Sequence, residues 1–183
     1  MLNWEWRSSI ALTVTRAVAA IHSAGPESCH GNIKSSNVLL TSDHEARLSE
    51  HGLHTLVGMS FFAGSSGYLA PEVALIACHT TKRSDVYSFG VLLLELLTGR
   101  CPTNMLVLHK GHRVDLPRWV RLSVLSEDST TKVLDADIIV DEQQENQMQQ
   151  LMRLAMVCCE QIAIRRPAMS EVVQRMEEIQ RSS

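Results

Sequence analysis

The sequence predicts a mainly helical domain of the α+β class, with about five or six helices and a single short two-stranded β element. Three observations carry that expectation. Apolar residues recur at spacings of three and four along several separate stretches, which places them on one face of a helix. The run VYSFGVLLLELL is apolar on nearly every face, the pattern of a buried central helix. Two short apolar runs, Val38 to Leu40 and Ala46 to Leu48, flank a polar cluster suited to a turn.

In chain order, Ile10, Val14, Ala17, Val18 and Ile21 define one face of a helix from Arg7 to His22, ending near Gly25-Pro26. Thr41-Ser42-Asp43-His44 then forms the turn between the two paired strands. Gly52 to Gly67, with Gly58, Gly64 and Ser65-Ser66, lacks periodicity and reads as a mobile loop anchored by Phe61-Phe62. Ser84 precedes the buried helix Asp85 to Thr98, which Gly99 and Pro102 stop. Asp115 caps a further helix with Pro117 in its first turn, packed through Leu116, Trp119, Val120 and Leu122; Trp119 is read as a core or surface anchor. Ser126 to Thr131 is polar, and Asp135 with Asp137 lacks a neighbouring His or Gly-rich loop, so that pair is assigned to solvated loop. Met148, Leu151, Met152, Ala155 and Cys159 mark a helix from Glu145 onward, and Met169, Val172, Val173, Met176 and Ile179 mark the last.

A chain of 183 residues, 45% apolar and 20% charged, suffices for one substantial core, and residues 1–183 are read as one domain. The formal net charge is −3, with 17 basic and 20 acidic side chains dispersed along the chain, which excludes the concentrated basic footprint of a nucleic-acid binder. The most apolar stretch, Val91 to Leu97, is broken by Glu95 and falls far short of the roughly 20 residues that cross a bilayer, so no membrane contact is expected of this segment itself. MLNWEW lacks the basic-then-apolar order of a signal peptide. Cys29, Cys78, Cys101, Cys158 and Cys159 show no disulfide framework and fit free thiols of a reducing compartment. Cys29-His30 and Cys78-His79 lack the two-to-four-residue spacing of zinc ligands.

HGNIKSSN from His30 to Asn37, EHGL from Glu50 to Leu53, APE from Ala70 to Glu72 and DVYSFG from Asp85 to Gly90 follow one another in an ordered series. They resemble the catalytic loop, metal-binding loop, end of the activation segment and central helix of a eukaryotic protein kinase. HGNIKSSNVLL, GYLAPE, KRSDVYSFGVLLLELLTG, DLPRWV and RRPAM are similar to the intracellular part of plant leucine-rich-repeat receptor-like kinases. The resemblance runs from about Trp4 to the end and implies the C-terminal helical lobe of the kinase-like fold, with residues 50–72 as the activation segment. No segment offers the G-x-G-x-x-G strand pair or the V-A-I-K-type lysine of the N-terminal lobe, so that lobe is read as absent and the chain as a fragment or a truncated gene product.

The same resemblance assigns roles. Asn32 occupies the position of the aspartate that takes the substrate hydroxyl's proton, and a neutral amide positions a hydroxyl but cannot accept its proton. Lys34 resembles the lysine that stabilises the transferring phosphate, and Asn37 the amide that holds a magnesium. Glu50 keeps a carboxylate for magnesium but is one methylene longer than aspartate, implying weak or displaced metal binding. His51 stands where a phenylalanine packs, while Gly52 keeps the loop's glycine. Gly31 replaces an arginine that pairs with a phosphorylated activation loop, and Thr55, Ser60, Ser65 and Ser66 are open either to phosphorylation or to a plain solvated role. Structural residues are matched more fully: His30, Asp85 as the acid receiving the catalytic loop's N–H groups, and Glu72 with Arg166 as a buried ion pair. Ala168 forgoes a helix cap before Glu171, with Ser170 as the substitute cap.

The function so implied is a kinase-like signalling domain, catalytically impaired, acting as a scaffold for protein partners such as a co-receptor or another kinase. The alternative is an active serine/threonine kinase once an N-terminal lobe is supplied. Mg-ATP is the family's cofactor, with weak or absent binding expected here. The implied location is the cytoplasmic side, at the plasma membrane for a full-length receptor and otherwise in the cytoplasm.

Overall fold

The computed structural model describes residues 2–43, 45–53, 66–76, 79–107, 111–126, 133–138 and 141–181. Most of the loop expected over 52–67 lies outside these, as do Thr55, Ser60, Ser65, Phe61-Phe62 and Cys78. The described elements are α1 (Trp4–Ser23), β1 (Val38–Leu40), β2 (Ala46–Leu48), α2 (Pro71–Ile76), α3 (Lys82–Thr98), β3 (Leu106–Val107), β4 (Arg113–Val114), α4 (Leu116–Ser126), α5 (Glu142–Cys158) and α6 (Met169–Arg181). Both sheets are antiparallel pairs; β1 and β2 register Val38 with Leu48 and Leu40 with Ala46.

Helix α3 is the axis of the fold. Phe89, Val91, Leu93, Leu94 and Leu97 are completely buried, as expected of a helix apolar all round. It packs against α5, α1 and α4, and α6 closes over α1 and α5. Gly90 allows the closest of these approaches, because a Cβ there would lie 2.7 Å from Cys159 Sγ and 2.8 Å from Cys158 Cβ. Burial pushes the Cys158 thiol up to about 12 and raises Cys159 as well, so both remain neutral packing groups.

Helix starts differ from the sequence reading. Helix α3 begins at Lys82, with Thr81 as its cap: the Thr81 hydroxyl accepts from the Ser84 N–H while the Ser84 hydroxyl accepts from the Thr81 N–H. Ser84 is therefore the third residue of a capping box and not the cap. Helix α5 starts at Glu142 under a matching box of Asp141 and Gln144. Ser170 lies inside α6, whose first carbonyl acceptor is Ala168, so it does not cap that helix. Asp115 caps α4 through the Arg118 N–H.

The reading of Asp135 as solvated loop is corrected. Its carboxylate meets Arg7 Nη2 at 2.7 Å, while Arg7 Nη1 donates to the Leu96 carbonyl and Nε to the Leu2 carbonyl. Asp137 is exposed. Among the described residues no helix is long and apolar enough to cross a membrane.

Candidate functional site

The loop at His30–Asn37 leaves α1 and enters β1, and three buried polar groups hold it. Asp85, in the first turn of α3, accepts the His30 N–H at 2.6 Å and the Gly31 N–H at 2.9 Å, while His22 Nε2 lies 2.9 Å from the same carboxylate. His30 Nδ1 accepts from the Asn32 N–H, so its proton sits on Nε2 and is donated to the Ser49 carbonyl at 2.9 Å. A fully buried neutral imidazole thus ties the loop to the end of β2. Gly31 has φ of 79°, a left-handed conformation that an arginine would adopt only with strain.

Asn32 and Glu50 come together. Asn32 is buried, and its Nδ2 donates to Glu50 Oε2 at 3.0 Å. Glu50 itself has φ of 65°, a conformation costing a non-glycine residue about 1–2 kcal/mol. Asn37 Nδ2 donates to the Asn32 carbonyl at 2.8 Å, and both the Ser49 N–H and hydroxyl donate to the Asn37 carbonyl at 2.9 Å. Lys34 is half-buried on the same loop. Gly52, with φ of 75°, provides the turn after Glu50. His51 is exposed, its ring centroid 6.0 Å from that of His30, so it does not fill a buried apolar slot.

Asn37 and Glu50, the residues that would hold magnesium, stand on these two linked loops. Magnesium requires oxygen ligands at about 2.0–2.1 Å in octahedral array. Here the Glu50 oxygen facing the loop already accepts from an amide N–H, and among the described residues no three His, Cys, Asp or Glu side chains converge.

A second polar cluster had only one trace in the sequence, the lone Glu95 within an apolar run. Tyr68 OH donates to Glu95 Oε2 at 2.5 Å, and the Ser35 hydroxyl lies 3.0 Å from Tyr68 OH and 3.1 Å from Glu95 Oε1. Burial raises the Glu95 carboxyl above its ordinary value, against the lowering effect of the two hydroxyls. Burial and the adjacent Glu95 likewise raise the Tyr68 hydroxyl. The cluster joins the His30–Asn37 loop, the segment before α2 and the last turn of α3. Glu72 and Arg166 meet at the opposite end of that segment, with the Arg166 guanidinium 5.0 Å over the Tyr87 ring.

The protein kinase domain model matches residues 2–176. The chain belongs to the protein kinase family. It is similar to receptor-like kinases of plants. A probable inactive receptor kinase of Arabidopsis thaliana, RLK902, is 44% identical over 99% of this chain and 28% of its own length. The leucine-rich repeat receptor-like protein kinase PXC1 of the same organism is 38% identical over 97% of this chain and 29% of its own length. The chain therefore spans under a third of these curated relatives. Among solved structures, the pseudokinase domain of BIR2, an immune regulator of the RLK/Pelle family, superposes with a TM-score of 0.76 at 26% identity, over 98% of this chain and 53% of that one. The kinase fold and the mainly helical character of the chain are thus both established.

Proposed function

We propose that this chain is the helical lobe of a receptor-like kinase domain that transfers phosphate poorly or not at all and acts by engaging protein partners in receptor signalling. One observation carries the reading: the residue at the proton-accepting position, Asn32, is an amide whose Nδ2 is already donated to Glu50. A positioned acid–base group contributes roughly 10²–10⁴ in rate, and an amide cannot take up a proton in its place. Lys34 and Asn37 would still position phosphate and loop, and His30, Gly52, Glu72, Asp85 and Arg166 would preserve the surface that partners read. That RLK902 is named probably inactive, and that BIR2 is a pseudokinase and immune regulator, supports the reading.

The partners so implied are a co-receptor or a catalytically competent kinase, met on the cytoplasmic side of the plasma membrane when the lobe is part of a full-length receptor. The competing reading, an active serine/threonine kinase completed by an N-terminal lobe, is favoured by the retained Lys34 and Asn37. Radiolabelled phosphate transfer separates them. The proposal expects transfer by the native chain, or by a longer form bearing the N-terminal lobe, to be absent or at least about 10²-fold slower than that of the same form carrying Asn32→Asp. Transfer as fast as that variant's, and abolished by Lys34→Ala, would overturn it.

A further inference from the structure

We propose that the Asn32 side-chain amide replaces a divalent cation as the tie between the His30–Asn37 loop and the Glu50–Gly52 turn, so that this centre is closed without metal. The inference deepens the functional reading and rests on the same pair of residues.

The geometry is specific. Asn32 Nδ2 stands 3.0 Å from Glu50 Oε2, and its amide orientation is set chemically, because the opposite flip would aim a carbonyl oxygen at a carboxylate. A carboxylate at position 32 would face Glu50 at a similar separation. Two such acids repel each other, and a cation between them would relieve that repulsion. An amide N–H₂ removes that repulsion and also presents hydrogens, not lone pairs, to any approaching metal. The contact also holds a strained backbone: Glu50 keeps φ of 65°, a conformation that persists where the surroundings over-determine it. The bonds from Asn37 Nδ2 to the Asn32 carbonyl and from Ser49 to the Asn37 carbonyl complete a closed circuit between the two loops.

The test is Mn²⁺ binding by electron paramagnetic resonance, with thermal unfolding in EDTA and in millimolar Mg²⁺ or Mn²⁺, on the full 183-residue chain. The native chain should bind no Mn²⁺ at the loops and melt at one temperature in all three buffers. Asn32→Asp should melt lower in EDTA, take up Mn²⁺ and regain at least about 3 °C with metal. Should that variant fail to fold, the double variant Asn32→Asp with Glu50→Gln restores an amide–carboxylate pair of reversed polarity and should recover metal-free stability. Mn²⁺ uptake by the native chain abolished by Glu50→Gln would overturn the inference, as would a double variant no more stable in EDTA than Asn32→Asp. A chain that binds Mn²⁺ at Glu50 yet transfers no phosphate overturns this inference and leaves the functional reading standing.

Discussion

Arg166 and Glu72 form a two-pronged ion pair, Nη1 to Oε1 at 2.6 Å and Nη2 to Oε2 at 2.8 Å, joining α2 to the chain just before α6. The Arg166 side chain is wholly buried and that of Glu72 is 24% exposed. Arg166 also donates to the Glu160 and Arg83 carbonyls, while Arg83 Nη1 donates back to the Arg166 carbonyl. Such a group is satisfied on all sides, so removing one partner strands the other. Glu72→Ala should lower stability by about 3–5 kcal/mol in urea unfolding. Arg166→Lys should recover little, since an ammonium cannot reproduce the fork.

Arg7 and Asp135 should behave as one unit. Their contact completes the C-terminus of α3, where Arg7 takes the Leu96 carbonyl and the Asp135 N–H takes that of Leu97. Arg7→Ala should cost about 3 kcal/mol. In a double-mutant cycle, Asp135→Asn should add little once Arg7 is gone, read as unfolding midpoints. Additive losses would contradict the pairing.

Gly90→Ala sets two effects against each other. Alanine gains about 1 kcal/mol of helix propensity. Its methyl would lie 2.7 Å from Cys159 Sγ and 3.0 Å from the Ala155 carbonyl, and overpacking costs about 1–3 kcal/mol. A net loss of melting temperature is expected, partly relieved by Cys159→Ala.

Stability should peak in weakly acidic solution. Burial raises the Glu72 and Asp135 carboxyls, but their arginine partners and backbone hydrogen bonds hold both below ordinary values. Their contribution is present above the unfolded pKa, about 4, and is lost as pH falls through the depressed folded values. Glu95 acts oppositely: its raised carboxyl binds the proton more tightly when folded, so its ionisation erodes stability as pH climbs from about 4 to the raised value. Melting temperature against pH should therefore fall on both sides, and Glu95→Gln should remove the decline that begins just above about pH 4, leaving that of the buried thiols and Tyr68 in alkaline solution.

Regular elements were legible where one property repeats along the chain. Val14 and Val18 on α1, Met148 and Leu151 on α5, and Val172 and Met176 on α6 are buried as their spacing requires. Helix starts were misplaced by a few residues because Thr81 and Asp141 cap through reciprocal bonds that composition alone does not distinguish from nearby serines or acids. The β3–β4 pair, two residues a side, is too short to carry a period. At the candidate site, motif order located Asn32, Asn37, Glu50 and Asp85, but the Tyr68–Glu95–Ser35 cluster joins residues up to 60 positions apart and left no local pattern.

The sequence by itself determined the five longer helices, which of them is central and which chemical groups stand in the two loops, because periodicity and residue identity are local properties; the six-residue α2 is too short to carry a period. Tertiary structure alone decided that the Asn32 amide points at Glu50, that Asp135 is held by Arg7 and that Glu95 is shielded beneath Tyr68. Hydrogen bonds and burial depend on distances between segments remote in the chain, and those are set only when α3 is enclosed by its neighbours.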